Sequence, residues 1–328
     1  MSVRRLIPVQ DQDPLKKVRE LLKLLWENAP LDGLFIPIWQ DDAAPVSTLI
    51  TSPDAIKEAD PFAPVMLRNS ALTAAKILQQ DPDRRLGFVL RPCELSNFLT
   101  LLQRWHLDPQ NTITISMDCL ATFPVQDFDW RLERSDHREY MSRSALHFAA
   151  QGGILPSRYR SSCQFCDEPF PKEADLHFEL LGITTLDNLV VNFRTDETAS
   201  YLGMNESNSQ PLPDEISARR ERILKKLMDW RQKAQAYALA HLSDENKSIE
   251  GLLSHLKECV YCHHLIQQHC PLFDMAWIMS DTPQYPPDVE IWLQNCGGCG
   301  MCESDCPQEY PLFKTILYLH KSLSRHSF

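Results

Sequence analysis

Leu86-Gly87-Phe88-Val89-Leu90-Arg91-Pro92-Cys93-Glu94-Leu95 is the stretch whose reading decides the fold. Its first five residues form an uninterrupted apolar run, the pattern of a strand buried on both faces. Pro92 then opens an amphipathic helix to about Trp105, since the first helical turn tolerates a missing N–H. Outward from this unit, apolar runs and helical stretches keep alternating. Leu15 to Trp26 reads as a helix after Asp13-Pro14, and Ser70 to Leu78 as another. Leu34-Phe35-Ile36, Val46 to Ile50, Thr112 to Met117 and Leu189 to Phe193 read as strands. Strands separated by helices predict an α/β domain with a largely parallel sheet.

The character of the chain changes after Thr195. Asn205 to Pro213 is polar and Pro-containing, a loop or linker. Glu215 to about His241 reads as one long charged helix with Ile223, Leu224, Leu227 and Trp230 on one face. Shorter helices are expected over Ser248 to Leu256 and Leu312 to Leu323, with a Pro-rich loop from Asp281 to Pro287.

With 328 residues the chain is long enough for two domains. Its net charge of −11, with no Lys/Arg stripe, argues against nucleic acid as a partner. Met1-Ser2-Val3-Arg4-Arg5 leads into Pro8 and Asp11 with no apolar stretch for a signal peptide, and no segment is long enough to span a membrane. A cytoplasmic location is therefore expected, where the eleven Cys read as metal ligands and not as disulfides.

Four of them, Cys296, Cys299, Cys302 and Cys306, spell C-x2-C-x2-C-x3-C ahead of Pro307, the thiolate run of a cubane iron–sulfur cluster. Zinc more often takes two separated C-x2-C knuckles. The fourth thiolate of such a run usually serves a second cluster. The partner run, Cys259, Cys262 and Cys270 before Pro271, lacks one Cys. By ferredoxin logic Cys270 joins Cys296, Cys299 and Cys302, while Cys306 joins Cys259 and Cys262. That leaves the second set one ligand short, to be supplied by His263, His264 or His269, or else to hold a three-iron cluster or none.

The other four are Cys93, Cys119, Cys163 and Cys166. Cys93 opens a helix and Cys119 follows a strand, both at the sheet edge where α/β proteins build sites. A helix N-terminus also favours the thiolate. Cys163-Gln164-Phe165-Cys166 adds a C-x2-C pair. Four ligands suffice for a further cluster, although scattered Cys are also common as small buried hydrophobes and a lone pair also suits zinc or redox chemistry.

Arg91-Pro92-Cys93-Glu94-Leu95, Asp118-Cys119-Leu120-Ala121-Thr122 and Cys163-Gln164-Phe165-Cys166-Asp167, with Glu173-Ala174-Asp175 downstream and Pro64-Val65-Met66 to Asn69-Ser70-Ala71 upstream, resemble the beta subunit family of deazaflavin-coenzyme-reducing hydrogenases and formate dehydrogenases. The resemblance covers about residues 60 to 195 and, through the Cys run, reaches the C-terminus. It implies an iron–sulfur flavoprotein with FAD beside a cubane cluster ligated by Cys93, Cys119, Cys163 and Cys166. The chain departs from the family form at Thr122, where a Gly is common, and in the interrupted upstream Cys run.

No G-x-G-x-x-G turn is present to hold a dinucleotide. The candidate FAD contacts are the helix start at Asn69, Ser70 and Thr73, the phosphate-pairing Arg68 and Arg91, and the Gly152-Gly153 pair ahead of Ile154, where backbone can approach a ring closely. A simple N-cap, a turn and surface ion pairs explain the same residues equally well.

The expected organisation is a flavin and iron–sulfur α/β domain over residues 1–200, a linker and long helix over 201–250, and a small, mainly helical ferredoxin-like dicluster domain over 251–328. The expected function is electron transfer between a FAD-linked two-electron carrier and two or three [4Fe–4S] clusters, as a subunit of a larger redox complex. Its partners would be other redox subunits and a soluble hydride carrier or ferredoxin. The alternatives are a flavin-free iron–sulfur relay and a zinc-stabilised interaction scaffold.

Overall fold

The computed structural model describes residues 3–41, 43–153, 159–204, 211–273, 287–303, 306, 308 and 310–325. Seven strands are present: β1 (Val3–Pro8), β2 (Gly33–Ile38), β3 (Val46–Ile50), β4 (Leu86–Val89), β5 (Thr112–Met117), β6 (Leu176–Glu179) and β7 (Asn188–Phe193). They form one sheet in the order β1-β7-β6-β5-β4-β2-β3. The central strands β2, β4, β5 and β6 are parallel. The flanks are antiparallel: β3 runs against β2, and β7 runs against both β6 and β1. The expected parallel character is thus confined to the middle. The short links from β2 to β3 and from β6 to β7 leave no room for the crossover that a parallel pair needs.

The helices are α1 (Pro14–Asn28), α2 (Ala71–Gln80), α3 (Pro92–Arg104), α4 (Val125–Leu132), α5 (Tyr140–Phe148), α6 (Ser161–Phe165), α7 (Asp196–Tyr201), α8 (Asp214–Ala240), α9 (Ile249–Glu258), α10 (Val260–His269), α11 (Pro287–Gln294) and α12 (Leu312–Arg325). Helix α1 begins as its sequence dictates, with the Asp13 carboxylate accepting from the Lys16 N–H at 3.0 Å and Pro14 in the first turn.

Alternation along β2 shows the layering. Leu34 and Ile36 pack with Leu15, Leu22 and Leu25 of α1, while Phe35 between them packs with Ala74 and Leu78 of α2 and Phe98 of α3. Both faces are therefore covered. The α2–α3 layer continues through Leu252, Leu256, Ile266, Leu293 and Ile316, so the C-terminal helices pack into the same apolar core.

Helix α8 differs from its reading in the sequence. Its buried residues are Arg220, Leu227, Arg231 and Gln235, whereas Trp230 is exposed. The inward stripe is mostly polar because it bonds to main chain and to buried carboxylates, described below. Residues 205–210 of the expected Asn205–Pro213 loop and 281–286 of the Asp281–Pro287 loop lie outside the described residues.

Candidate metal and cofactor site

Strand β4 ends at Val89, opposite Ile115, two residues before β5 ends at Met117. This register brings the start of α3 beside the residues after β5, and so Cys93 beside Cys119. The chain then passes through α6 and returns Cys163 and Cys166 to the same place. All four thiols line one small cavity, together with Met66, Arg91, Thr122, Arg160, Arg231 and Cys299.

Burial sets the proton affinity of these thiols. It raises Cys93 and Cys119, and pushes Cys166 up to about 12. Burial would raise Cys163 as well, but the Arg160 guanidinium and a 3.3 Å contact with the Thr122 hydroxyl outweigh it and lower its pKa. Loading such a site with metal therefore expels protons.

Three cations surround the quartet. Arg160, held by the Thr122 hydroxyl at 2.9 Å, acts on Cys163, Cys299 and Cys93. Arg91 acts on Cys119, and Arg231 of α8 on Cys166 and Cys119. Arg231 also donates to the Cys166 carbonyl at 2.9 Å, and Gln235 to the Phe165 carbonyl at 3.1 Å. The sequence pattern gave no sign of Arg160 or Arg231, because long-range polar contacts leave no periodicity. At Thr122 the departure from Gly has a use: its hydroxyl bridges Arg160 and Cys163. The left-handed conformation falls one residue earlier, on Ala121 at φ 73°.

Beside Cys119 lies a buried ion network. Asp118 accepts from the N–H groups of Leu180 and Leu181, both at 2.8 Å, pairs with His177 at 2.8 Å and with Arg220 at 2.5 Å. Arg220 also binds Glu179 at 2.9 Å, which in turn holds Arg4 of β1.

A second cavity, about 220 Å³, opens at the start of α2 and shares Met66 and Arg91 with the thiol cavity. Ser70, Thr73, Arg68 and Arg91 line it, with Phe35 and Pro37 from the sheet. Glu94 knits its floor, accepting from the Ser70 and Arg91 N–H groups at 3.0 Å each. The Asn69 carboxamide oxygen caps Ala71 at 3.0 Å, while its buried Nδ2 has no protein acceptor. Gly152 and Gly153 are elsewhere. With φ of 94° and 90° they close the turn after α5, against Ile223 and Leu181, and do not border this cavity; Ile154 lies outside the described residues. A larger cavity of about 400 Å³ lies on the other side, reaching Cys93, Cys166 and Cys296.

The C-terminal run docks directly on α3. Gly297 N–H donates to Asn97 Oδ1 at 3.0 Å, and Ser162 Oγ donates to the Cys299 carbonyl at 3.1 Å. A Cβ on Gly297 would sit 2.5 Å from Asn97 Oδ1 and 2.7 Å from the Cys93 carbonyl. Gly297→Ala is therefore expected to lift this loop and cost about 1–3 kcal/mol, as overpacking does. A melting temperature and iron content equal to wild type would contradict it.

Within this run the thiols fall into two neighbourhoods. Cys270, Cys296 and Cys302 each sense Cys299, and burial raises them to about 11, to about 12 and well above the ordinary value, respectively. Cys299 also acts on Cys93, so it stands between the two quartets. Cys262 is paired instead with Cys259 and Cys306; Pro307 lies outside the described residues. The imidazole that reaches this trio is not His264, which is exposed, nor His269, two turns further along α10; the His263 side chain lies outside the described residues. It is His255, in the last turn of α9, with Nε2 3.2 Å from Cys262 Sγ. Its H-x3-C spacing to Cys259 was the available signal, since residues four apart share a helix face.

No protein-family model matches the chain. Compared with proteins of known function, it is 22% identical over 340 residues to a protein named F420-dependent formate dehydrogenase subunit beta from Methanocaldococcus jannaschii, an alignment covering 90% of this chain and 86% of that protein. This distant similarity, spread over nearly the whole of both chains, supports the resemblance to the beta subunit family of deazaflavin-coenzyme-reducing hydrogenases and formate dehydrogenases. Among the described residues, no helix is long and apolar enough to cross a membrane.

Proposed function

We propose that the protein is an electron-transfer beta subunit of a redox complex of the formate dehydrogenase type, holding FAD and two cubane clusters in a line. One observation carries this reading: the cavity at α2, the Cys93–Cys119–Cys163–Cys166 cavity and the Cys270–Cys296–Cys299–Cys302 set are contiguous, joined on one side by Met66 and Arg91 and on the other by Cys299. The name of the relative supports the class of complex.

The α2 cavity suits an anionic ligand with a flat apolar ring. A helix start with Ser70 and Thr73, Arg68 and Arg91 would take phosphate, and Phe35 and Pro37 would flank a ring; Asn69 does not line the cavity. FAD bound there would exchange two electrons with a hydride carrier and single electrons with a neighbouring cluster. The protein's own part is placement and electrostatics. Arg91, Arg160 and Arg231 oppose the negative charge of four thiolates, and the Thr122 hydroxyl bonds to the Cys163 sulfur; both effects raise a cluster's potential. The soluble partner would be a deazaflavin-class carrier or a ferredoxin, and the remaining partners other redox subunits.

Chain purified without oxygen tests this. About one FAD, with about eight irons and as many sulfides, is the expected content, from two four-iron clusters. Iron without flavin would replace this reading by the flavin-free relay; absence of iron would defeat both. Arg91→Ala should lower flavin occupancy several-fold.

A further inference from the structure

We propose that His255, Cys259, Cys262 and Cys306 bind a single tetrahedral zinc ion, making the third cysteine set a structural metal centre and not an iron–sulfur cluster. The first ground is its size. The ligand atoms of His255, Cys259 and Cys262 all lie within 4.8 Å of one another, and His255 Nε2 is 3.2 Å from Cys262 Sγ; Cys306 is not in this close group but its thiol interacts with that of Cys262 and supplies the fourth ligand. A zinc tetrahedron with bonds of about 2.3 Å to sulfur and about 2.0 Å to nitrogen has edges of about 3.6–3.8 Å. In a cubane each thiolate binds a different iron, so the sulfurs stand roughly 6 Å apart. The same chain offers the contrast. Among the described residues this is the group that gathers three His, Cys, Asp or Glu ligand atoms so closely; neither of the other two cysteine quartets does.

The donor set is the second ground. Three thiolates and one imidazole are a common closed shell for structural zinc. The local chain is also built to present them. Cys259 is at once the C-cap of α9 and the N-cap of α10, with φ −94° and ψ 100°, so its side chain sits in the corner between the helices. His255 lies one turn before that corner and Cys262 in the first turn after it. The His255 ring is fixed by stacking on Tyr310, with centroids 3.4 Å apart and planes 8° apart, and the Tyr310 hydroxyl is held by Asn246 Oδ1 at 2.8 Å. Such outer contacts orient the imidazole so that Nε2 faces the thiols.

The third ground is position. Cys93, Cys270, Cys296 and Cys302 each interact electrostatically with Cys299, which also lines the first thiol cavity, whereas the thiol neighbours of Cys262 are Cys259 and Cys306. An ion here would tie the α9–α10 corner to the segment leading into α12, a task of folding and not of electron relay.

Metal analysis and zinc K-edge absorption of the full chain, purified without oxygen, test the proposal. One zinc per chain is expected, with a shell of three sulfurs at about 2.3 Å and one nitrogen at about 2.0 Å. His255→Ala should lose that zinc and keep the wild-type iron and sulfide. His255→Cys should keep zinc and change the shell to four sulfurs, which guards against misfolding of the first variant. Iron for a third cluster in place of zinc, a wild-type shell without nitrogen, or zinc retained by His255→Ala with an unchanged shell would each overturn it. Zinc without any iron would uphold this site and sink the electron-transfer reading; two clusters' worth of iron with no zinc would do the reverse.

Discussion

Cys166→Ser protein is expected to carry about half the iron and acid-labile sulfide of the wild type, about four of each per chain in place of eight. Cys166 lines the cavity shared with Cys93, Cys119 and Cys163, and its carbonyl anchors Arg231 of α8. A serine keeps the backbone and that anchor but supplies a poor, strongly basic ligand. The second quartet, Cys270, Cys296, Cys299 and Cys302, takes no ligand from this loop and should fill normally. Flavin should stay bound, because the α2 cavity shares Met66 and Arg91 with the thiol cavity but not Cys166. With the middle of the line gone, reduction of the remaining cluster by a two-electron donor should fall to background, while dithionite still reduces it. Full iron in Cys166→Ser, or undiminished reduction through the flavin, would refute the assignment of this quartet.

The second large effect is expected at Asp118, which is not itself a proposed ligand. Asp118→Ala would leave Arg220, whose side chain is 6% exposed, without its main partner, and the Leu180 and Leu181 N–H groups without their acceptor. Breaking a buried pair by removing one member costs about 3–5 kcal/mol. For a chain of this size the melting temperature should drop by roughly 6–15 °C. Cys119 is the next residue, so iron should fall too. The acid dependence is equally specific. Burial alone would raise the Asp118 pKa, but the His177 hydrogen bond and the Arg220 charge hold it well below the usual carboxylate range. Its stabilising contribution is thus complete above the unfolded value of about 3.9 and is lost as pH falls below that toward the folded value. Wild type should lose stability more steeply than Asp118→Asn below about pH 4. Parallel curves of melting temperature against pH would contradict an ionised Asp118.

The strongest elements were legible because their periodicity reports burial. Val46–Ile50 and Thr112–Met117 fall where their apolar patterns place them, and α3 begins at Pro92 as expected. Strand β1 was not legible: Val3-Arg4-Arg5-Leu6-Ile7-Pro8 reads as a polar terminus, since Arg4 is absorbed by Glu179 and Ser217, and Arg5 by the Arg4 carbonyl, and not by alternation. Strand β6, Leu176-His177-Phe178-Glu179, is buried throughout although two residues are polar, because His177 and Glu179 find Asp118 and Arg220. The same cause misplaced the inward face of α8, where Arg220, Arg231 and Gln235 lie buried and Trp230 does not. At the candidate metal sites, cysteine spacing supplied the candidates. It could not find Arg160, Arg231 or His255, which reach their thiols through the folded chain.

The walls of the thiol cavity come from segments scattered between Met66 and Cys299, with α8 laid across them through Arg231. A ribosome-bound chain that has not yet released Gly298 and Cys299 lacks one wall, and one that ends before α8 lacks its clamp. A cluster bound in this cavity would therefore have to be delivered to the finished polypeptide. The Gly297 contact with α3 then places the C-terminal loop against the Cys93 backbone, so a cluster entering after that loop has docked would have to displace it.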